Sequence, residues 1–270
     1  MRIWVNSYYS WQKGKDKRKK KQTHKEKVMK VIERIYHENK GTPGYRTMQV
    51  YLGREKINLS ANTVHKYMNC YLKLYSVCRR KKANYPKTSN ESATVFENKL
   101  NRDFKANKPN QKWCIDFTYL PLANGKMMYN CAIIDLYDRS IVASITDKNI
   151  TADLAIKTLA KALEANPDAR GEVLLHSDRG SQFTSWSFVN FCKASGVVQS
   201  MSRSGCPHDN AVIERYFNTL KHDFMNLYEF KSERQLCEAV VHFVFKYNQT
   251  RPHSYNDYLT PNQKRSDNCA

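Results

Sequence analysis

Apolar residues recur at two different spacings along the chain, and the change between them divides it into two parts. In the first part, residues such as Val28 and Ile32 follow one another at three- and four-residue intervals, which predicts a helix with one buried face. Residues 41–44 read Gly-Thr-Pro-Gly and break this helix. A second helix is predicted from Tyr45, and a third follows Ser60, a good N-cap residue. Three short helices with a turn between the last two predict a helix-turn-helix domain.

After residue 110 the apolar residues form short continuous or alternating runs, which are typical of strands. Three such runs occupy residues 113–120, 126–134 and 140–145, and Asn124-Gly125 supplies a hairpin turn between the first two. Further along, helical patterns enclose one more short strand: they cover residues 151–164, 184–195, 209–224 and 232–247, with the strand at 173–176. This order predicts a mixed sheet with helices on its faces.

Positive charge is concentrated towards the amino terminus. The formal net charge is +20, and residues 1–110 hold 27 Lys and Arg against 8 Asp and Glu, whereas the remainder is almost neutral. The basic run between residues 13 and 21 is too poor in apolar side chains to fold alone, so it predicts a flexible basic arm over residues 1–24. Such a surplus attracts a polyanion, and nucleic acid is the usual one, although an arm without a specific role is the alternative.

Composition also argues against other classes of protein. No run of about eighteen apolar residues occurs, and the amino terminus lacks the order of a signal peptide, so we expect a cytoplasmic protein without a membrane partner. The eight cysteines form no C-x-x-C pair and are expected to be reduced and structural. A zinc site built from His24, His37, Cys70 and Cys78 would match none of the short-loop zinc spacings.

The third predicted helix carries candidate DNA-reading side chains. In helix-turn-helix geometry this helix lies in a major groove, and it would direct toward the bases Asn62, Thr63, His65 and Lys66. A basic run follows it, consisting of Arg79, Arg80, Lys81 and Lys82. These features favour DNA binding over a plain helical bundle, which is the alternative. We therefore predict a DNA-binding domain over residues 25–82 and a polar linker over residues 83–110.

Three acidic residues of the second part stand where a carboxylate can serve chemistry. Asp116 interrupts an apolar strand, where an unpaired buried carboxylate is costly. Asp178 follows a buried strand, at the end where sheet proteins mount their functional groups. Glu214 lies beside Ile213, at the margin of the buried face of a predicted helix. Taken singly, the first could face solvent, the second could form a turn and the third could be a surface residue.

Taken together, these carboxylates can converge on one spot and form a metal site. Carboxylate oxygens suit Mg²⁺ or Mn²⁺. Two such ions about 4 Å apart would activate a water or a DNA 3′-hydroxyl and stabilise the departing oxygen. Lys221 lies seven residues after Glu214 on the same helical face and could hold a phosphate there, although a solvated lysine is equally consistent.

The motifs around these residues resemble those of the DDE transposases and retroviral integrases, and within them the second-frame (OrfB) product of the insertion-sequence-three family. Residues 113–118 read W-C-I-D-F-T, residues 175–185 read L-H-S-D-R-G-S-Q-F-T-S, and residues 200–221 end in D-N-A-V-I-E-R-Y-F-N-T-L-K. Thirty-five residues separate Asp178 from Glu214, the interval by which the acidic triad of the family is named. Residues 247–261 are similar to its carboxyl-terminal signature. The resemblance covers almost the whole chain.

This resemblance implies an α/β fold: a ribonuclease-H-like mixed-sheet catalytic core over residues 111–230, preceded by a small all-α helix-turn-helix domain and followed by a helix and tail over residues 231–270. It implies Mg²⁺ dependence, with Mn²⁺ as a substitute, and carries the catalytic and metal-binding roles to Asp116, Asp178 and Glu214. It also supports the DNA-binding domain, in which Arg46 joins the candidate DNA contacts.

The function expected from these features is cleavage of insertion-element ends and transfer of the 3′-hydroxyl strands to target DNA. The partners are then double-stranded DNA, as terminal repeats and target, and further copies of the chain in a homo-oligomer on that DNA, associated with the bacterial nucleoid. In this family the upstream frame encodes another helix-turn-helix, so the upstream-frame protein is an expected partner as a frameshift fusion. The alternative is a DNA-binding transposase fragment that regulates transposition without catalysis.

Overall fold

The computed structural model describes residues 4–77 and 95–267, and the chain divides into two compact units, Met1–Arg80 and Lys81–Ala270. The first unit is helical: α1 (Val5–Lys13), α2 (Lys15–Glu38), α3 (Tyr45–Arg54) and α4 (Ala61–His65), which continues as a π-helical turn, Lys66–Tyr71. No helix of the described residues is long and apolar enough to cross a membrane.

The helical unit folds around the residues that the periodicity selected. Its core consists of Val28, Ile32, Ile35, Met48, Leu52, Val64 and Met68, none more than 3% exposed. The helix break predicted at residues 41–44 and the start of α3 at Tyr45 are confirmed. Ser60 caps α4, since its side chain accepts a hydrogen bond from the Thr63 backbone N–H at 3.3 Å.

The prediction of a flexible arm over residues 1–24 is wrong for residues 5–13 and 15–24, which are helical. Residues 15–24 form the first turns of α2, and the same helix reaches Glu38. Lys and Arg favour helices, and a helix already fixed by packing from Val28 onward can extend backwards without a new nucleation step.

The second unit is built on a five-stranded mixed sheet with the order β3-β2-β1-β4-β5. Its strands are β1 (Lys112–Pro121), β2 (Met127–Asp135), β3 (Ile141–Asp147), β4 (Leu174–Ser177) and β5 (Val198–Met201). The first three are antiparallel, as predicted, and β4 and β5 run parallel to β1. Gly125, with φ of +81°, lies in the predicted hairpin turn between β1 and β2.

Helices cover both faces of this sheet. Helices α5 (Ala152–Ala165), α6 (Ser181–Thr184) and α7 (Trp186–Ala194) lie on one face, and α8 (Ala211–Asp223) and α9 (Glu233–Gln249) lie on the other; α10 (Pro261–Ser266) ends the described chain. Side chains of β1 alternate between the two cores, because Trp113 and Ile115 pack with α5 while Cys114 packs with α8 and α9. The predicted mixed α/β core is confirmed.

Two segments outside the predicted core belong to it. The linker prediction is wrong for residues 95–110, since Leu100 is 1% exposed and packs in the same core as α8. Apolar residues are too sparse in this segment to show a helical or strand period, but they pack against the core of the sheet. Helix α9, predicted as a separate carboxyl-terminal segment, buries Leu236, Val240, Phe243 and Tyr247 in that core as well.

Candidate active site

The sheet brings the first two acidic residues of the predicted triad side by side. Strand β1 pairs in parallel with β4, and the last paired positions are Cys114 and His176. Asp116 and Asp178 lie two residues further along their strands, so the same register places them next to each other beyond the last pair. Side chains two apart on a strand share a face, so Asp116 faces the same way as Cys114, towards α8.

The surroundings of Asp116 disfavour a negative charge. Its pKa is raised well above the usual value, first by burial and then by the charges of Asp178 and Glu214. The backbone N–H of Phe117 donates to Asp116 Oδ1 at 2.7 Å, and the charge of Lys221 also lowers this pKa. Asp116 therefore interacts electrostatically with both other acidic candidates and with the candidate lysine.

Asp178 is held by the turn that follows it. The backbone N–H of Gly180 donates to Asp178 Oδ1 at 2.8 Å, and burial raises the pKa of the carboxyl. A Cβ atom at position 180 would lie 2.9 Å from the same oxygen and 3.1 Å from Gln182 Oε1. A side chain at position 180 would therefore push the Asp178 carboxylate aside, although the φ of Gly180 is an ordinary −58°.

Helix α8 supplies the third carboxylate and the lysine. Glu214 lies in the first turn of α8, at the margin of its buried face and next to the fully buried Ile213. The residue is exposed overall, but the partial burial of its carboxyl is the main cause that raises its pKa; the nearby His208 lowers this pKa and Asp178 raises it. Lys221 lies in the last turn of α8, where burial lowers its pKa and Asp116 raises it.

The chemistry of this donor set suits a divalent cation. Carboxylate oxygens repel one another when ionised, and a hard cation among them offsets that repulsion. Within residues 4–77 and 95–267, however, no three acidic, Cys or His side chains are gathered closely enough to hold a metal ion.

The predicted DNA contacts of the helical unit lie mostly on its surface. Arg46, Asn62, His65 and Lys66 are exposed, and Thr63 is half-buried at the capped start of α4. The Tyr45 ring packs edge-on against the His65 ring, with ring centroids 5.1 Å apart. The Arg46 guanidinium lies over the Tyr45 ring. The predicted contacts Arg79, Arg80, Lys81 and Lys82 lie outside the described residues.

Comparison with known proteins gives the family. Two models described as integrase core domain match residues 106–207 and 195–261, and a model described as HTH-like domain matches residues 23–82. The chain is 34% identical to transposase InsK of insertion sequence element IS150 from Escherichia coli K12, over 88% of this chain and 83% of that protein. It is 36% identical to transposase InsF of IS3A from the same organism, over 65% and 61%. The chain belongs to the insertion-sequence-three family of transposases.

The family assignment fixes the class of protein. This transposase has a ribonuclease-H-like core and an HTH-like amino-terminal domain, as predicted, and is an enzyme of the polynucleotidyl transferase type. A DNA-binding fragment without catalysis is not favoured. Among solved structures, the catalytic core domain of HTLV-2 integrase in complex with magnesium is similar, with 19% identity, 59% of this chain and 99% of that chain covered, and a TM-score of 0.43.

One element of the transposase site was missed by the sequence analysis. Asp209, fully buried just before α8, accepts hydrogen bonds from Arg102 Nε at 2.6 Å, Arg203 Nε at 3.1 Å and Asn98 Nδ2 at 2.9 Å. Hydrogen bonding to Arg203 is the largest of the causes that hold the pKa of Asp209 far below its usual value. This carboxylate joins residues 95–102 to the helix that carries Glu214. The D-N pair in the motif was a signal, but the sequence pattern does not show that Arg102 and Asn98, from the predicted linker, contact Asp209.

Proposed function

We propose that the protein cleaves the ends of an insertion element and transfers the 3′-hydroxyl strands to target DNA, with Asp116, Asp178 and Glu214 as catalytic and metal-binding carboxylates. The observation that carries this proposal is the register of β1 against β4, which places Asp116 beside Asp178. The charges of Asp178, Glu214 and Lys221 all act on Asp116. Carboxylates with perturbed pKa values that lie together are typical of active sites.

The three carboxylates would hold two Mg²⁺ ions, or Mn²⁺ in their place, which when bound activate the attacking oxygen and stabilise the departing one. The chain itself supplies position and charge. The Phe117 and Gly180 backbone N–H groups each fix one oxygen of an aspartate, which leaves the second oxygen of each for a ligand. Lys221, from the same helix as Glu214, would hold a phosphate of the DNA beside the carboxylates.

The helical unit would recognise the DNA. We propose that α4 enters a major groove and places Asn62, Thr63, His65 and Lys66 against base edges and phosphates, with Arg46 on the backbone. The basic run at residues 79–82 adds phosphate contacts. The ligands are then the terminal repeats of the element and the target DNA.

The proposed reaction also has consequences for the oligomeric state, the partners and the cellular location of the protein. Because two element ends must be joined to one target, we propose a homo-oligomer on DNA at the bacterial nucleoid, with the upstream-frame protein as a partner in a frameshift fusion.

Strand joining tests the catalytic assignment. The purified chain is incubated with a labelled terminal-repeat duplex, target DNA and Mn²⁺ or Mg²⁺, and cleaved and joined products are separated on a denaturing gel. Asp116→Asn should abolish both products while DNA binding persists or strengthens, because one negative charge is removed. The matched control is Asp168→Asn: Asp168 is exposed in the turn before β4, at the opposite end of that strand, and its replacement should leave joining unchanged.

Two outcomes would contradict the proposal. Joining at the wild-type rate by Asp116→Asn would remove this residue from the catalytic site. Products that are cut and never joined by the wild-type chain, at any target concentration, would instead indicate a nuclease built on the same core.

A further inference from the structure

Arginine side chains emerge beside the carboxylates, at the ends of the next pair of strands. Strands β4 and β5 run parallel, and their last paired positions are Ser177 and Met201. Arg179 and Arg203 lie two residues beyond those positions, so they leave the sheet side by side. Arg179 also directly follows Asp178, which places this edge next to the candidate active site.

The backbone fixes Arg179 while leaving its terminal nitrogens available. Arg179 Nε donates to the Ser202 carbonyl oxygen at 2.9 Å. Within residues 95–267, no group accepts a hydrogen bond from either terminal nitrogen of Arg179, and the side chain is exposed. A guanidinium held through Nε keeps the pair of donors that binds a phosphate in a bidentate manner.

Asp209 holds two further guanidinium groups at this edge. Arg203 and Arg102 both donate to this fully buried carboxylate, yet their side chains remain 50% and 47% exposed. One carboxylate therefore orients two cations, and Arg179 adds a third arginine that has no carboxylate contact among the described residues. Arginines fixed near one another without enough acidic partners repel, and an anion between them removes that repulsion.

We propose that Arg179, Arg203 and Arg102 form a phosphate-binding subsite next to the carboxylates, which holds a backbone phosphate of the bound DNA. This subsite rests on the proposed function, since it requires DNA at the carboxylates. It is separate from Lys221, which lies on α8 and interacts with Asp116. The arginines would hold the strand beside the reacting phosphate, and thereby set its direction across the site.

Salt dependence of DNA binding tests the subsite. The full chain carries Asp116→Asn so that no strand is cut, and a labelled random-sequence duplex of about twenty base pairs, longer than the roughly 10 base pairs of one helical turn, is titrated at several KCl concentrations with Mg²⁺ present. Arg179→Gln is the main variant, because its protein contact is to a backbone carbonyl and folding should survive. Arg170→Gln is the matched control: Arg170 is exposed just before β4, at the opposite end of the same strand, and its replacement removes the same charge.

The expected result is a slope of log affinity against log salt that is less negative by about 1 for Arg179→Gln, with affinity roughly tenfold lower. Arg179→Lys should restore the slope but only part of the affinity, because lysine keeps the charge and loses the bidentate geometry. Arg170→Gln should keep the slope of the parent chain.

Equal slopes for Arg179→Gln and Arg170→Gln would overturn the subsite, as would equal affinities for Arg179→Lys and the parent chain. Failure of the proposed function is seen separately, because it concerns joining by the chain with Asp116 intact. A changed slope with no joining would support the subsite and contradict the catalytic assignment.

Discussion

Acidification should weaken the second unit through His253, which the fold keeps neutral. The imidazole Nδ1 accepts a hydrogen bond from the Tyr255 backbone N–H at 3.2 Å, so this nitrogen must be unprotonated. Burial is the main cause that lowers the pKa of His253 from 6.5 to about 4, and the neighbouring Arg251, Arg139 and Arg215 lower it further. A proton on the ring would meet an N–H donor and three cations.

Proton linkage gives the sign and the size of this change in folding stability. The folded pKa lies below the unfolded one, so between pH 6.5 and about 4 the unfolded chain binds more protons, and stability is lost as the pH falls through this window. The full difference corresponds to about 3 kcal/mol, of which roughly 2 kcal/mol is lost between pH 7 and pH 5.

A variant isolates this contribution from all other titrating groups. His253→Asn keeps an oxygen that can accept the Tyr255 N–H and does not titrate. Free energies of unfolding are measured by urea denaturation at pH 7 and pH 5, followed by the fluorescence of the buried Trp113. At pH 7 the variant should be less stable by about 1 kcal/mol, because ring packing against Tyr247 is lost, and at pH 5 it should equal or exceed the wild type.

The control is His242→Asn on the exposed surface of α9, which makes the same replacement away from His253. The reasoning would be refuted if the stability difference between His253→Asn and the wild type did not change between pH 7 and pH 5. It would also fail if the His253 ring resonances titrated near pH 6.5 in an NMR experiment on the folded protein.

Three further predictions concern the site itself. Gly180→Ala should reduce strand joining by about 100-fold, because its Cβ would displace Asp178 Oδ1, whereas Gly44→Ala, which meets no atom within 4 Å, should not. Without divalent metal, Asp116→Asn should raise the Tm, because burial and the neighbouring carboxylates raise the pKa of Asp116 and disfavour its charge; Mg²⁺ should raise the Tm of the wild type but not that of the variant. Asp209→Asn should lower the free energy of unfolding by about 1–3 kcal/mol in urea titrations at pH 7, since its charge-assisted hydrogen bonds are weakened. Because the pKa of Asp209 is lowered, this difference should decrease progressively as the pH falls from 3.8 towards the much lower folded pKa.

Local patterns in the sequence determined most of the elements. Periods of three to four residues select the buried faces of α2, α3 and α8, because one side of a helix must meet the core. Alternation indicated the three antiparallel strands, and Asn124-Gly125 indicated the turn between the first two. The spacing of Asp116, Asp178 and Glu214 within their motifs is likewise a property of the sequence alone, since each motif is continuous along the chain.

Tertiary structure alone decided what surrounds those residues. The register of β1 against β4 places Asp116 beside Asp178, and the burial that raises the pKa of Asp116 depends on helix α8 packing over the sheet. Two partners of Asp209, Asn98 and Arg102, lie about a hundred positions earlier in the chain, in a segment whose apolar residues are too sparse to show a period. The periodicity of apolar residues shows which side of a helix or strand is buried. It does not show which charged residues from distant parts of the chain lie next to that side, because those neighbours are fixed only when the elements pack together.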